Sequence, residues 1–132
     1  MDRQLYASLA NRASDLVEAG ERSKAIELLE ELVTSDLPAI DRAYMCMNIA
    51  VIHDQMDDTQ QALQAYASAV NIERETESCF VAQSRAAYYA KLGMYDESVR
   101  SYQDLLRHPH LAPKDREMVV ANIETLRKLR AD

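Results

Sequence analysis

Three turn positions, with small and large residues at fixed offsets around them, constrain this chain more than anything else in it. Gly20 and Gly93 are separated by about two steps of a repeat in the 20–50-residue range. Near the midpoint stands Asp57, a residue that tolerates the left-handed backbone almost as glycine does. Five residues after each turn comes a small residue: Ala25, Ala62 and Ser98. Four beyond those stand Leu29, Tyr66 and Tyr102, and seven before the turns sit Ala13, Ala50 and Ala86. The pattern reads as helix, turn, helix, three times over. It is clearest from Ala86 to Tyr102, where Ala86 and Ala90 allow close approach and Tyr89 and Tyr102 fill the space between. Gly93 turns the chain there, and Asp96 and Glu97 place negative charge at the start of the next helix, where the macrodipole favours it. Such a pair cannot bury its apolar face alone, so copies must stack.

These columns resemble the tetratricopeptide repeat, whose pattern runs small, large, turn, Tyr, Ala, aromatic, Pro over about 34 residues. Gly93-Met-Tyr95-Asp-Glu-Ser98 and Gly20-Glu-Arg-Ser-Lys-Ala25 fit best, and the middle copy fits through Ala50, Ala62, Tyr66 and Ala69. The family's tryptophan is absent, Arg12 and Arg85 replace a common leucine, and the steps run two or three residues long. The resemblance implies an all-α fold of about seven helices, antiparallel pairs wound as a right-handed superhelix, a TPR-like α-solenoid. Residues 1–132 are expected to form a single domain, with repeats at about 6–39, 43–76 and 79–112 and a capping helix at about 113–130.

Helical spacing gives the elements. Asp2 is expected to cap a first helix running to about Ala19, with Leu5, Leu9, Ala13, Leu16 and Val17 as its apolar face. A second, from about Arg22 to Thr34, buries Ala25, Ile26, Leu28, Leu29, Leu32 and Val33 and leaves Glu27, Glu30 and Glu31 solvated. The third, about Ala39 to Met56, has two apolar stripes, Cys46-Ile49-Ala50-His53 and Tyr44-Met47-Asn48-Val51, so it needs a second neighbour or a partner. Asp58 is expected to cap the fourth helix and Thr76 the fifth, about Glu77 to Leu92. After a sixth helix, from about Asp96 to Arg107, His108-Pro-His-Leu-Ala-Pro113 breaks the chain. The last helix carries Val119, Ile123 and Leu126, joined by Val120 and Leu129, with charge on its reverse face.

Composition excludes several classes. A net charge of −7 argues against a nucleic-acid backbone as partner, no apolar run reaches the roughly 20 residues of a membrane span, and two isolated glycines cannot build a phosphate loop. The start of the chain lacks the order of a signal peptide. Two cysteines in helical patterns, Cys46 and Cys79, suit a reducing cytoplasmic location. Cys46 reads as a small buried hydrophobe and His53 as a core or half-buried packing residue. Cys79 begins a helix, but no histidine or second cysteine visibly pairs with it, so it is not expected to be a nucleophile. His108 and His110 read as surface turn residues without matching metal-ligand spacing. The residues therefore indicate neither an enzyme nor a metal or other cofactor.

What remains is a surface. The resemblance implies that the first helix of each repeat lines a concave groove holding a peptide or partner helix. The stripe beside the packing stripe is Ala7, Ala10, Asn11 and Ser14, then Tyr44, Met47, Asn48 and Val51, then Phe80, Gln83, Ser84 and Ala87. It carries no charge, which suits an interface. Candidate partner-binding residues are Asn11, Ser14, Tyr44, Met47, Asn48, Val51, Phe80, Gln83, Ser84 and Ala87. A subgroup of the family clamps a C-terminal carboxylate with Lys, Asn and Arg. Here Ala10, Ser14, Phe80 and Ser84 occupy those places and only Asn48 matches, while Arg85 is one residue out of phase, about 100° away. The expectation is thus an adaptor or co-chaperone-like module for an apolar or amphipathic segment of another protein, without nucleic acid or membrane insertion. A small acidic secretion chaperone is one version. The alternative is a self-assembling structural protein whose groove accepts a neighbouring copy.

Overall fold

The computed structural model describes residues 2–131, which form seven α-helices and no strand among the described residues. They are α1 (Arg3–Glu18), α2 (Arg22–Val33), α3 (Ala39–Gln55), α4 (Thr59–Glu73), α5 (Phe80–Lys91), α6 (Tyr95–Leu106) and α7 (Pro113–Ala131). The chain divides into two compact units, the first ending at Thr76 and the second beginning at Glu77.

The turn columns have the expected backbone. Gly20, Asp57 and Gly93 have φ of +80°, +59° and +78°, each in the left-handed region after a helix end. A Cβ built on Gly93 meets no atom within 4 Å, so only the backbone resists a side chain there. Gly93→Ala should therefore lower stability by about 1–2 kcal/mol, the left-handed penalty, read as a lower urea midpoint at unchanged slope. The chain's own Asp57 shows the position to be tolerant but not open to any residue.

The small columns are where helices touch. Ala25, Ala62 and Ser98 are each 0% exposed, as are Ala50 and Ala86, and Ala13, Leu29, Tyr66 and Tyr102 are buried beside them. Ser98 sits in a column of alanines because its hydroxyl has an acceptor: Oγ donates to the Ala86 carbonyl across the α5–α6 contact at 2.7 Å. In this third pair the buried tyrosines are Tyr88 and Tyr102. Tyr89, expected to fill that space, is only half-buried and lies with its ring 5.9 Å from the Arg85 guanidinium.

In the first unit α2 packs on α1 and α3, and α3 packs also on α4. The core joins Ala13 of α1, Ile26, Leu29 and Leu32 of α2, Leu37, and Met45, Ile49 and Ile52 of α3. α3 lies between α2 and α4 and buries Ala43, Met45, Cys46, Ile49, Ala50 and Ile52, while of the second expected stripe Tyr44 and Met47 are half-buried and Asn48 and Val51 are exposed. The ends are held locally. Asp2 accepts from Gln4 N–H at 2.6 Å, and Asp58 accepts from Gln61 N–H at 3.2 Å. Glu27, Glu30 and Glu31 are exposed.

The second unit stacks α5, α6 and α7 in order, with Val99, Tyr102 and Leu105 meeting Val119, Ile123 and Leu126. Arg116 donates to the Leu106 carbonyl at 2.9 Å and Arg130 reaches Asp96 at 2.7 Å, so α7 runs antiparallel to α6. Two expectations change here. Thr76 does not cap a helix start; its Oγ1 donates to the Glu73 carbonyl at 2.7 Å and closes the end of α4, while α5 begins three residues later than expected. Val120 and Leu129 of α7 are exposed, so the buried stripe is the narrow one of Val119, Ile123 and Leu126.

Candidate functional site

None of the ten candidate residues is buried, though Tyr44 packs against the core of its unit. In the first unit, Ser14, Asn48 and Val51 come together. They line one open cavity of about 320 Å³ between α1 and α3. Its floor is apolar, from Ala13, Leu29, Met45 and Ile52, and its sides are Ala10, Val17, Glu18 and Gln55. Helical geometry explains the set: Ala10, Ser14 and Val17 recur along one face of α1, and Asn48, Val51 and Gln55 along one face of α3. Among the described residues the lining holds one acid, Glu18, and no base. A carboxylate ligand would find no cation there.

The other candidates lie apart from this cavity. Asn11, with Ala7, faces a shallow depression on α1 beside Gln4, Ser8, Arg12 and Asp15. Tyr44 is half-buried against the core of its unit, and Met47 is half-buried beside it in sequence. In the second unit, Phe80 is 52% exposed and shares with Gln83 a pocket of about 370 Å³. Ser84 uses its hydroxyl within its own helix, donating to the Phe80 carbonyl at 3.0 Å, and Ala87 is exposed. Sequence reasoning missed Glu18 and Gln55. Continuing each stripe one helical turn, from Ser14 to Glu18 and from Val51 to Gln55, would have found both.

Two assignments in the chemistry-bearing residues are settled by contacts. Cys46 is buried, its Sγ donates to the Ala65 carbonyl at 3.3 Å, and burial pushes its thiol up to about 11. His53 is half-buried, and its Nδ1 has no hydrogen-bond partner among the described residues. The expectation for Cys79 is corrected. Its Sγ lies 3.2 Å from Nδ1 of His108, brought round by the segment after α6, and His108 is half-buried rather than a solvated turn residue. No group of three or more His, Cys, Asp or Glu among the described residues is placed to hold a metal ion. No described helix is long and apolar enough to cross a membrane.

Comparison with known proteins bears on the α3–α4 pair. Residues 43–76 match the family model of the tetratricopeptide repeat. No curated protein matches the chain. The match spans the helices whose small columns, Ala50 and Ala62, are fully buried and whose turn is made by Asp57. Residues 43–76 are thus similar to a tetratricopeptide repeat, a unit of protein–protein interaction modules, and they lie in a chain whose described residues are all-helical and paired helix on helix.

Proposed function

We propose that the chain is an adaptor-like module that holds an apolar or amphipathic segment of another protein, and that the α1–α3 cavity is where the segment seats. The observation that carries this reading is the joining of Ser14, Asn48 and Val51 over an apolar floor of Ala13, Leu29, Met45 and Ile52. An apolar side chain fills such a floor, while Asn48, Ser14 and Gln55 offer hydrogen bonds to the backbone on either side. Glu18 at the rim favours a basic residue flanking the apolar one. The buried, reduced cysteines suit a reducing compartment such as the cytoplasm.

A photo-crosslinking residue at Val51, with Glu27 on the solvated face of α2 as the control, tests the reading in the native cell. One partner captured from Val51 and not from Glu27 is the expected result. Val51 is exposed, so Val51→Arg should leave the melting temperature nearly unchanged. It should weaken binding of that partner by about thirtyfold, as loss of a central anchor does. Unchanged affinity would remove the cavity from the reading. A mass that grows with protein concentration, with the chain crosslinked to itself, would replace it by self-assembly.

A further inference from the structure

The two compact units differ in charge. Residues 1–76 hold 14 acidic and 6 basic side chains, net −8, whereas residues 77–132 hold 8 and 9, net +1. The net negative charge of the chain thus lies in the unit that contains the α1–α3 cavity. That cavity runs out to Glu18 and Gln55, the last residues of α1 and α3. Helix C-termini carry negative partial charge on their free carbonyls, and basic side chains are favoured there. α1 has no base in its last turn and α3 only His53, yet the exposed Glu18 stands in that turn of α1. A carboxylate beside a negative helix end works against the stability of the free protein. Breaks with local preference of this kind fall at functional positions.

The adjoining turns deepen the potential, because Glu21, Asp57 and Asp58 are exposed there. Of the bases in the same stretch, Lys24 is paired with Glu21 at 2.9 Å, and Arg22 donates from Nε to Gln55 Oε1 at 3.4 Å. The cavity has an apolar floor of Ala13, Leu29, Met45 and Ile52 and one negative end. We propose that it selects a basic amphipathic segment, with an apolar side chain over the floor and a Lys or Arg side chain against Glu18. This rests on the reading of the cavity as the docking site and adds the chemistry of its occupant. The aliphatic stem of the Lys or Arg lies along Val17 while its charged head reaches the carboxylate. An acidic segment meets Glu18 and two helix ends of its own sign, so selection works by repulsion as well as attraction. The field of the whole unit draws basic segments in before contact.

The probes are two short labelled peptides, one of Leu and Lys at helical spacing and its twin with Glu in place of every Lys. Their binding to the full-length chain is read by fluorescence anisotropy at about 0.15 M salt, where the Debye length is about 8 Å. The Lys peptide should bind at least about tenfold tighter than its twin. Most of that gap should close at about 1 M salt, where the Debye length is about 3 Å. Glu18→Lys should weaken the Lys peptide about tenfold. It should also raise the melting temperature of the free chain by about 1–4 °C, since the helix end gains a favourable charge. Glu27→Lys, on the exposed face of α2, makes the same change in net charge and should alter affinity less than about twofold. Equal affinity for the two peptides, or equal losses in Glu18→Lys and Glu27→Lys, overturns the proposal. A Glu18→Lys chain that melts lower has lost a structural group and overturns it too. Val51→Gln changes no charge and should weaken the Lys peptide about tenfold. If it weakens neither peptide, the cavity is not the docking site and both readings fall. If it weakens both alike and the two bind equally, the cavity stands and its preference for a basic segment falls.

Discussion

A chain cut before Pro113 should be insoluble, or should melt far below the full-length protein. Val119, Ile123 and Leu126 of α7 are buried, and they cover Tyr102 and Leu105 of α6. Fully burying an aliphatic side chain stabilises by about 1.5–3 kcal/mol, so losing three forfeits on the order of 5–9 kcal/mol as an upper bound. That is comparable to the whole stability of a small domain. The Arg130–Asp96 pair goes too, but it is exposed and its loss changes little. The freshly exposed apolar face of α6 invites association. Sedimentation and thermal melting of the truncated chain check this. A monomeric product with an unchanged melting temperature would show that α7 is a passive extension.

The second large effect is expected from Ala50→Leu. Ala50 is fully buried on α3, the helix enclosed by α2 and α4, and Ala62 is fully buried on the facing α4. Three further carbons have no room, and the crossing must open. Overpacking of this kind costs about 1–3 kcal/mol and occasionally more, a fall of roughly 3–15 °C in melting temperature. Glu27→Leu on the exposed face of α2 should shift stability by less than about 0.5 kcal/mol. Equal melting curves for the two variants would contradict the close approach of α3 and α4.

The architecture was legible because its determinants are local and recur. A positive φ wants glycine or aspartate, a close crossing wants a small residue, and both demands fall at fixed offsets, so Gly20, Asp57 and Gly93 announce the pairs without any knowledge of long-range contacts. Helix starts were legible at Asp2 and Asp58, which cap α1 and α4, and at Arg22 and Ala39, where no side chain caps α2 or α3. The start of α5 was not: it begins at Phe80, whose N–H is accepted by Ser78 Oγ at 3.3 Å, and Thr76 serves the preceding helix instead. Tyr88 and Tyr89 are adjacent and chemically identical, and only the rotation of α5 decides which turns inward. The cavity between α1 and α3 was half legible: phase along each helix gave Ser14, Asn48 and Val51, but not that Asn11 faces elsewhere. The Cys79–His108 contact was not legible. It joins residues 29 apart in the chain through an irregular segment, for which no periodicity exists.

The single hydroxyl in the small column has a mechanical consequence. Methyl against methyl is a smooth bearing: two alanines fit nearly as well after one helix slides a fraction of a turn along the other. Ser98 is a key in a slot, because displacing α6 along α5 would strand a buried donor away from the Ala86 carbonyl. The pairs crossing at Ala25 and at Ala62 carry no such key in those columns. Adjustment of α2 on α1 is therefore cheaper than adjustment of α6 on α5, and between α3 and α4 only the weaker thiol contact of Cys46 to the Ala65 carbonyl resists it.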